Sequence, residues 1–157
     1  MTKTNALRLI TQAGIPHRTA SYDFDEHDLS GAKAAAAIGM PPEQVFKTLV
    51  ARGDKTGVVV FCIPVLCTLD LKKAAKVSGN KKVEMVHMNE LLPLTGYIRG
   101  GCSPIGMKKP MPTFIDRSCM DFPAIYISAG VRGLQIKIAP DDLLAYTGAT
   151  LSDLTAE

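Results

Sequence analysis

Apolar positions recur along this chain with two periods, and the switches between them divide it into short elements. In residues 4–13, Leu7, Ile10 and Ala13 fall a helical turn apart. Gly14 and Pro16 follow, which predicts a helix stopping there. A second helix is predicted from the cap Ser30 through Ala37 and Ile38, with Gly39 at its end. Pro41-Pro42-Glu43-Gln44 opens a turn, and residues 45–51 read as a β-strand. Residues 57–63 are apolar and β-branched at nearly every position after the glycine, the pattern of a central strand buried on both faces. Residues 70–78 form a short amphipathic helix with Leu71, Ala74 and Ala75 inward and Lys72, Lys73 and Lys76 outward, ended by Gly79. Further strands are predicted at residues 83–86, 113–115, 124–128 and 134–139. Short helices are predicted at residues 89–94 and 140–146, the latter opening on Pro140.

Helices and strands do not alternate regularly in this order, which argues against a doubly wound parallel sheet. The expected fold is mixed α/β: a curled, mixed or mainly antiparallel sheet or barrel flanked by helices. At 157 residues the chain is long enough to bury a core without disulfides or metal, and residues 1–157 read as one domain. The polar start, Met1 to Arg8, has no apolar signal core, and the longest apolar run is ten residues interrupted by Pro64. That run is too short to span a bilayer, so no membrane partner and a cytoplasmic location are expected.

Charge changes the picture more than composition does. The net charge is +3, yet residues 71–117 hold nine Lys/Arg against three Asp/Glu. This excess is either a solvated helix face or a surface for nucleic-acid phosphates. With no tryptophan and nine Phe and Tyr, a sheet that stacks single-stranded bases is disfavoured. The cysteines (Cys62, Cys67, Cys102, Cys119) form no CxxC pair and the three histidines stand far apart, so neither a metal site nor a cofactor is expected.

Candidate chemistry begins at Lys47, which alternation places on the same strand face as Val45 and Leu49. Two readings stand: an edge-strand lysine whose stem snorkels to water, or a cation at the floor of a pocket. Residues 95–109 hold four glycines, Pro104 and two terminal lysines. Glycine allows positive φ and close main-chain approach to a ligand. The segment fails as a phosphate-binding P-loop, because Met107 displaces Lys108 by one position and Pro104 removes an amide. It also fails as a nucleophile elbow, because Pro104 directly follows Ser103. Asp23, Asp25, Glu26 and Asp28 read as a solvated acidic turn, with Tyr22 before them able to reach a pocket. Ser128-Ala129-Gly130 reads as a small-residue turn.

Five segments together resemble the YbaK family, the free-standing relatives of the editing domain of bacterial prolyl-tRNA synthetases. They are Phe46-Lys47-Thr48, Leu69-Asp70-Leu71-Lys72-Lys73, Lys81-Lys82-Val83-Glu84-Met85, Gly96-Tyr97-Ile98-Arg99-Gly100-Gly101-Cys102-Ser103-Pro104-Ile105-Gly106 and Ile127-Ser128-Ala129-Gly130-Val131-Arg132-Gly133-Leu134. The resemblance implies a metal-independent aminoacyl-tRNA deacylase of the branch that removes cysteine from the proline tRNA, and from the cysteine tRNA. In that family the substrate's own thiol is thought to attack its ester. Such an activity answers a physical need, since an apolar pocket separates near-isosteres by only about 10- to 200-fold.

By matching position, the resemblance implies that Lys47 anchors the 3′-terminal nucleotide or polarises the ester, and that Gly100 and Gly101 present main-chain groups to the aminoacyl moiety. It implies that Tyr22, Phe46, Thr48, Ser103, Pro104, Ser128 and Gly130 shape the substrate pocket. Lys72, Lys73, Lys76, Lys81, Lys82, Arg99 and Lys108 would meet tRNA phosphates. The implied partners are the acceptor end of an aminoacyl-tRNA and, transiently, prolyl-tRNA synthetase. Gln135 departs from the acidic residue common in relatives, and Cys102 from an aliphatic one; Cys102 is expected to be passive. A deacylase for another small residue such as alanine, and a non-catalytic tRNA- or synthetase-binding module, remain the alternative readings.

Overall fold

The computed structural model describes residues 4–156, so the first three residues of the polar start lie outside it. Helix α1 (Asn5–Gln12) begins where Thr4 Oγ1 accepts the Leu7 N–H at 3.1 Å. The same hydroxyl donates to the Ala129 carbonyl at 2.6 Å, tying the helix start to the small-residue turn. Strand β1 (His17–Ser21) and helix α2 (Gly31–Ile38) follow, with Ser30 accepting the Lys33 N–H and Gly39 at φ +72° as the caps of α2. Then come β2 (Phe46–Gly53), β3 (Gly57–Pro64), α3 (Leu71–Ser78), β4 (Val83–Met85) and α4 (Met88–Thr95). The chain continues through β5 (Thr113–Asp116), β6 (Ile125–Ser128), β7 (Leu134–Ile138), α5 (Pro140–Thr147) and β8 (Thr150–Ser152).

The fold is mixed α/β, as expected, but the strands form two open sheets and close no barrel. One sheet has the order β1-β7-β6, all antiparallel. The other, β4-β2-β3-β5-β8, is antiparallel across β4, β2 and β3 and parallel from β3 to β8. A bridge from Val45 to Tyr126 joins them. Central position explains the apolar run of β3, where Val59, Val60, Phe61, Cys62 and Ile63 are fully buried.

Alternation sends Val60 and Cys62 to one core, with Phe46, α1 and the inner faces of β6 and β7. It sends Val59, Phe61 and Ile63 to a second core under α3, with Ala74 and Ala75. Three details correct the sequence reading. Leu71 is 44% exposed, because α3 rests its alanines on the sheet and Leu71 sits in its first turn, beyond that contact. Ala13 is exposed, since α1 ends at Gln12 and buries Ala6, Leu7 and Ile10 instead. Strands β1 and β8 were not anticipated: β1 is mostly polar and β8 is three residues long, and each lies at a sheet edge.

Candidate active site

The site forms along the open edge of β2. Val65 N–H donates to the Val45 carbonyl at 2.9 Å, so residues 45, 47 and 49 turn their main-chain groups toward β3 and residues 46 and 48 toward the opposite edge. On that edge Tyr126 bridges Val45, and the β4 segment reaches β2 only from Val50, whose carbonyl accepts the Val86 N–H at 3.2 Å. Between them lies a cavity of about 500 Å³, lined by all five residues 45–49.

The opposite wall comes from the other sheet, with Ser128 at the end of β6 and Gln135 paired to it in β7. Tyr22, after β1, and residues 29–32, leading into α2, form a third side. Gly31 lets α2 approach, because a Cβ there would stand 2.4 Å from the Val65 side chain. Arg99, Gly100 and Cys102 of the glycine loop complete the lining.

Internal hydrogen bonds hold that loop. Tyr97 donates its hydroxyl to the Ile105 carbonyl, Gly101 N–H reaches the Ile98 carbonyl at 2.9 Å, and Ser103 Oγ accepts the Ile105 N–H at 3.2 Å. Arg132 Nε donates to the Arg99 carbonyl at 2.8 Å. Gly100 is at φ +85°, between the Leu29 and Arg132 side chains. The geometry therefore needs glycine at 100 for its backbone and at 101 for its space, since a Cβ at 101 would meet the Val131 backbone at 3.2 Å.

Electrostatics single out Lys47. It is half-buried on the cavity wall, and desolvation lowers its pKa below the ordinary 10.5, opposed by the nearby Cys67. Of the two readings of Lys47, a pocket cation describes its position. Burial pushes the Cys102 thiol up to about 12, which keeps it protonated and a poor nucleophile at neutral pH. Cys62, beneath it, is likewise pushed to about 12 and lies 3.7 Å from Thr48 Oγ1. Among the described residues, no His, Asp or Glu lines the cavity. Among the described residues no three His, Cys, Asp or Glu side chains converge as metal ligands.

Tyr22, Phe46, Lys47, Thr48, Arg99, Gly100 and Ser128 are thus brought together around one cavity. Gly101, Ser103, Pro104 and Gly130 do not line it. Ser103 and Pro104 are buried beneath the loop, and Gly130, at φ +103°, makes room for the Tyr97 ring. Lys72, Lys76, Lys81 and Lys82 line a separate groove of about 540 Å³ between α3 and β4. Lys73 turns away to Asp153 Oδ1 at 3.2 Å and the Thr155 carbonyl at 2.8 Å, while Lys82 pairs with Glu84 at 2.8 Å. Lys108 lies exposed outside both. The acidic turn is exposed throughout. Sequence reasoning did not place residues 29–32, Val65 or Leu66 at the site; the one available signal was a glycine directly after a helix cap.

The fold of two open sheets is shared with known proteins. The model of the aminoacyl-tRNA editing domain matches residues 26–146, and the chain belongs to that family. Among relatives, EbsC of Enterococcus faecalis, provisionally named a Cys-tRNA(Pro)/Cys-tRNA(Cys) deacylase, is 47% identical over 155 residues. The alignment covers 99% of this chain and 94% of that protein. A solved structure provisionally described as a trans-editing enzyme for prolyl-tRNA synthetase superposes with a TM-score of 0.82 at 28% identity, covering 97% of this chain and 93% of that one. The hypothetical protein APE2540 superposes with a TM-score of 0.86 at 25% identity, over 95% and 97% of the two chains.

Proposed function

We propose that this protein is a trans-acting aminoacyl-tRNA deacylase that releases cysteine from Cys-tRNA(Pro), and from Cys-tRNA(Cys), with the substrate's own thiol as nucleophile. The observation that carries the reading is the convergence of Lys47 and the positive-φ Gly100 on a cavity that offers no activated nucleophile. Its one lining thiol is held protonated, and its hydroxyls have no histidine or carboxylate to take a proton. The substrate thiol fills that role. Sγ loses its proton, an Sγ–carbonyl bond forms, and the ester C–O bond breaks. The proton ends on the departing ribose oxygen, leaving a cyclic thioester and free tRNA.

The protein then contributes placement and charge. Lys47, already desolvated, donates to a substrate oxygen at the cavity wall, and the main chain around Gly100 fixes the aminoacyl group. Tyr22, Phe46, Thr48 and Ser128 hold the rest. Gly101, Ser103, Pro104 and Gly130 act through the loop and turn that shape the cavity. Arg99 and the lysine groove meet tRNA phosphates, with prolyl-tRNA synthetase as the transient source of mischarged tRNA. The test is deacylation of Cys-tRNA(Pro) by the purified protein and its Lys47→Ala variant. Loss of about 100-fold or more in the variant is expected; unchanged turnover overturns the role of Lys47, and an inactive wild type overturns the reading.

A further inference from the structure

A second, smaller groove adjoins the cavity. The two share Tyr22, Ser30 and Gly100, and the groove adds Phe24, Asp28, Lys33 and Arg132. It encloses about 10 Å³, room for no more than a water molecule, so a ligand there lies over it rather than inside it. The turn between β6 and β7 places two of the added side chains. Phe24 packs on Gly133, where a Cβ would stand 2.9 Å from its ring, and Tyr22 N–H donates to the Gly133 carbonyl at 2.9 Å. The Phe24 side chain nevertheless stays 44% exposed. Arg132 runs along Gly100, where a Cβ would stand 3.5 Å from its Cγ and Nε. Its Nε donates to the Arg99 carbonyl at 2.8 Å, and among the described residues no carboxylate forms an ion pair with it.

A single exposed aromatic ring is ordinary on a protein surface. Here the ring shares a groove with an anchored guanidinium whose Nη groups are left for another acceptor, and the groove opens from Gly100 of the candidate active site. An aromatic ring beside a cation is what single-stranded nucleic acid asks for: the base stacks on the ring and the phosphate meets the guanidinium. Asp28 lines the same groove, with its Oδ1 accepting the Ser30 N–H at 3.2 Å. A carboxylate repels phosphate and accepts from the exocyclic amine of a cytosine, which assigns the phosphate to the Arg132 side and the base to the side of Phe24 and Asp28.

We propose that this groove is the subsite for the penultimate nucleotide of the tRNA acceptor end, with its base on Phe24 and the phosphate that joins it to the terminal nucleotide on Arg132. This rests on the deacylase reading, which puts the terminal nucleotide and its ester in the cavity. The acceptor end is single-stranded and finishes C-C-A, so the next nucleotide out is a cytidine, and the chain must leave the cavity over its rim. Gly100 and Arg132 stand at that rim, where cavity and groove meet. Because Arg132 also holds the Arg99 carbonyl, a phosphate bound to it sits on the same support as the Gly100 main chain.

The experiment titrates three stable amide probes calorimetrically into the full chain. The first is 3′-cysteinylamido-3′-deoxyadenosine. The second extends it at its 5′ oxygen by a cytidine 3′-phosphate, and the third is the second without its cytosine base. Wild type is expected to bind the second about tenfold more tightly than the third, the step for the base, and the third about threefold more tightly than the first, the step for the phosphate. Phe24→Ala is expected to cut the base step to less than about twofold, Phe24→Tyr to keep it, and Arg132→Gln to remove the phosphate step. A base step that is absent in wild type, or equal in wild type and Phe24→Ala, overturns the proposal, and so does a phosphate step that Arg132→Gln leaves intact. If Arg132→Gln binds no probe, having also lost its hold on the Arg99 carbonyl, the two Phe24 variants decide alone. A wild type that deacylates Cys-tRNA(Pro) but shows no base step sinks this inference and leaves the deacylase reading standing; a wild type that does neither sinks both.

Discussion

Replacing Gly100 by alanine separates a backbone requirement from a steric one. Gly100 lies at φ +85°, where an L side chain crowds its own carbonyl, at about 1–2 kcal/mol. The added methyl would stand 3.5 Å from Leu29 Cβ and from Arg132 Cγ and Nε, ordinary contact distances, so no clash adds to that figure. For a chain of this size 1 kcal/mol corresponds to about 2–4 °C, and the expected fall in Tm is about 2–8 °C. Asparagine tolerates the left-handed region better than alanine, so Gly100→Asn should recover part of the loss. Gly101→Ala should fail differently. Its φ is not in the left-handed region, yet its Cβ would press on the Val131 backbone at 3.2 Å, which has no rotamer to move out of the way. Thermal unfolding by circular dichroism measures all three, and single-turnover deacylation reports the loop's effect on chemistry. A Gly100→Ala protein with wild-type Tm, or one that Gly100→Asn matches or undercuts, would refute the reasoning.

Other outcomes follow from the same geometry. Burial lowers the Lys47 pKa in the folded state, so between that value and 10.5 the unfolded chain binds more protons and stability rises with pH; below the folded value the full cost persists. Lys47→Met removes this, so its Tm should rise less, or fall more, than that of wild type between pH 8 and 10.5, and parallel profiles would contradict the burial. Reversing Lys72 and Lys76 to glutamate should weaken tRNA binding and flatten its dependence on salt by about one contact per lysine. An unchanged salt slope would make the groove a solvated face. Cys102, with its pKa near 12, should resist iodoacetamide at pH 7.5 in the native protein and react only after unfolding. Rapid native labelling at that position would overturn its placement as a protonated, inert wall.

Much of the fold was legible in the chain because its punctuation is local. Ser30 and Pro140 open helices, and Gly39 and Gly79 end them with positive φ, as glycine directly after a helical run implies. The apolar density of residues 57–63 marked the central strand. β1 escaped because His17-Arg18-Thr19-Ala20-Ser21 carries almost no apolar signal, and its strand character comes from pairing with β7. The site was legible where a residue's type conflicts with its surroundings, as with Lys47 in an apolar strand. It was not legible where a residue acts at a distance in sequence. Gly101, Ser103, Pro104 and Gly130 carry the loop's signature yet support the cavity from behind, while Leu29 and Gly31 line it only because α2 docks on Val65.

The central claim is that the substrate supplies the nucleophile. The most direct measurement compares turnover of Cys-tRNA(Pro) and Ala-tRNA(Pro) by the same purified protein under single-turnover conditions. The two esters differ by one sulfur atom and share every group the cavity is proposed to hold. An intramolecular thiol in reach of its carbonyl gives cysteine an advantage of at least about 100-fold. Comparable rates for the two would show that the nucleophile comes from water or from the protein, and would contradict the account.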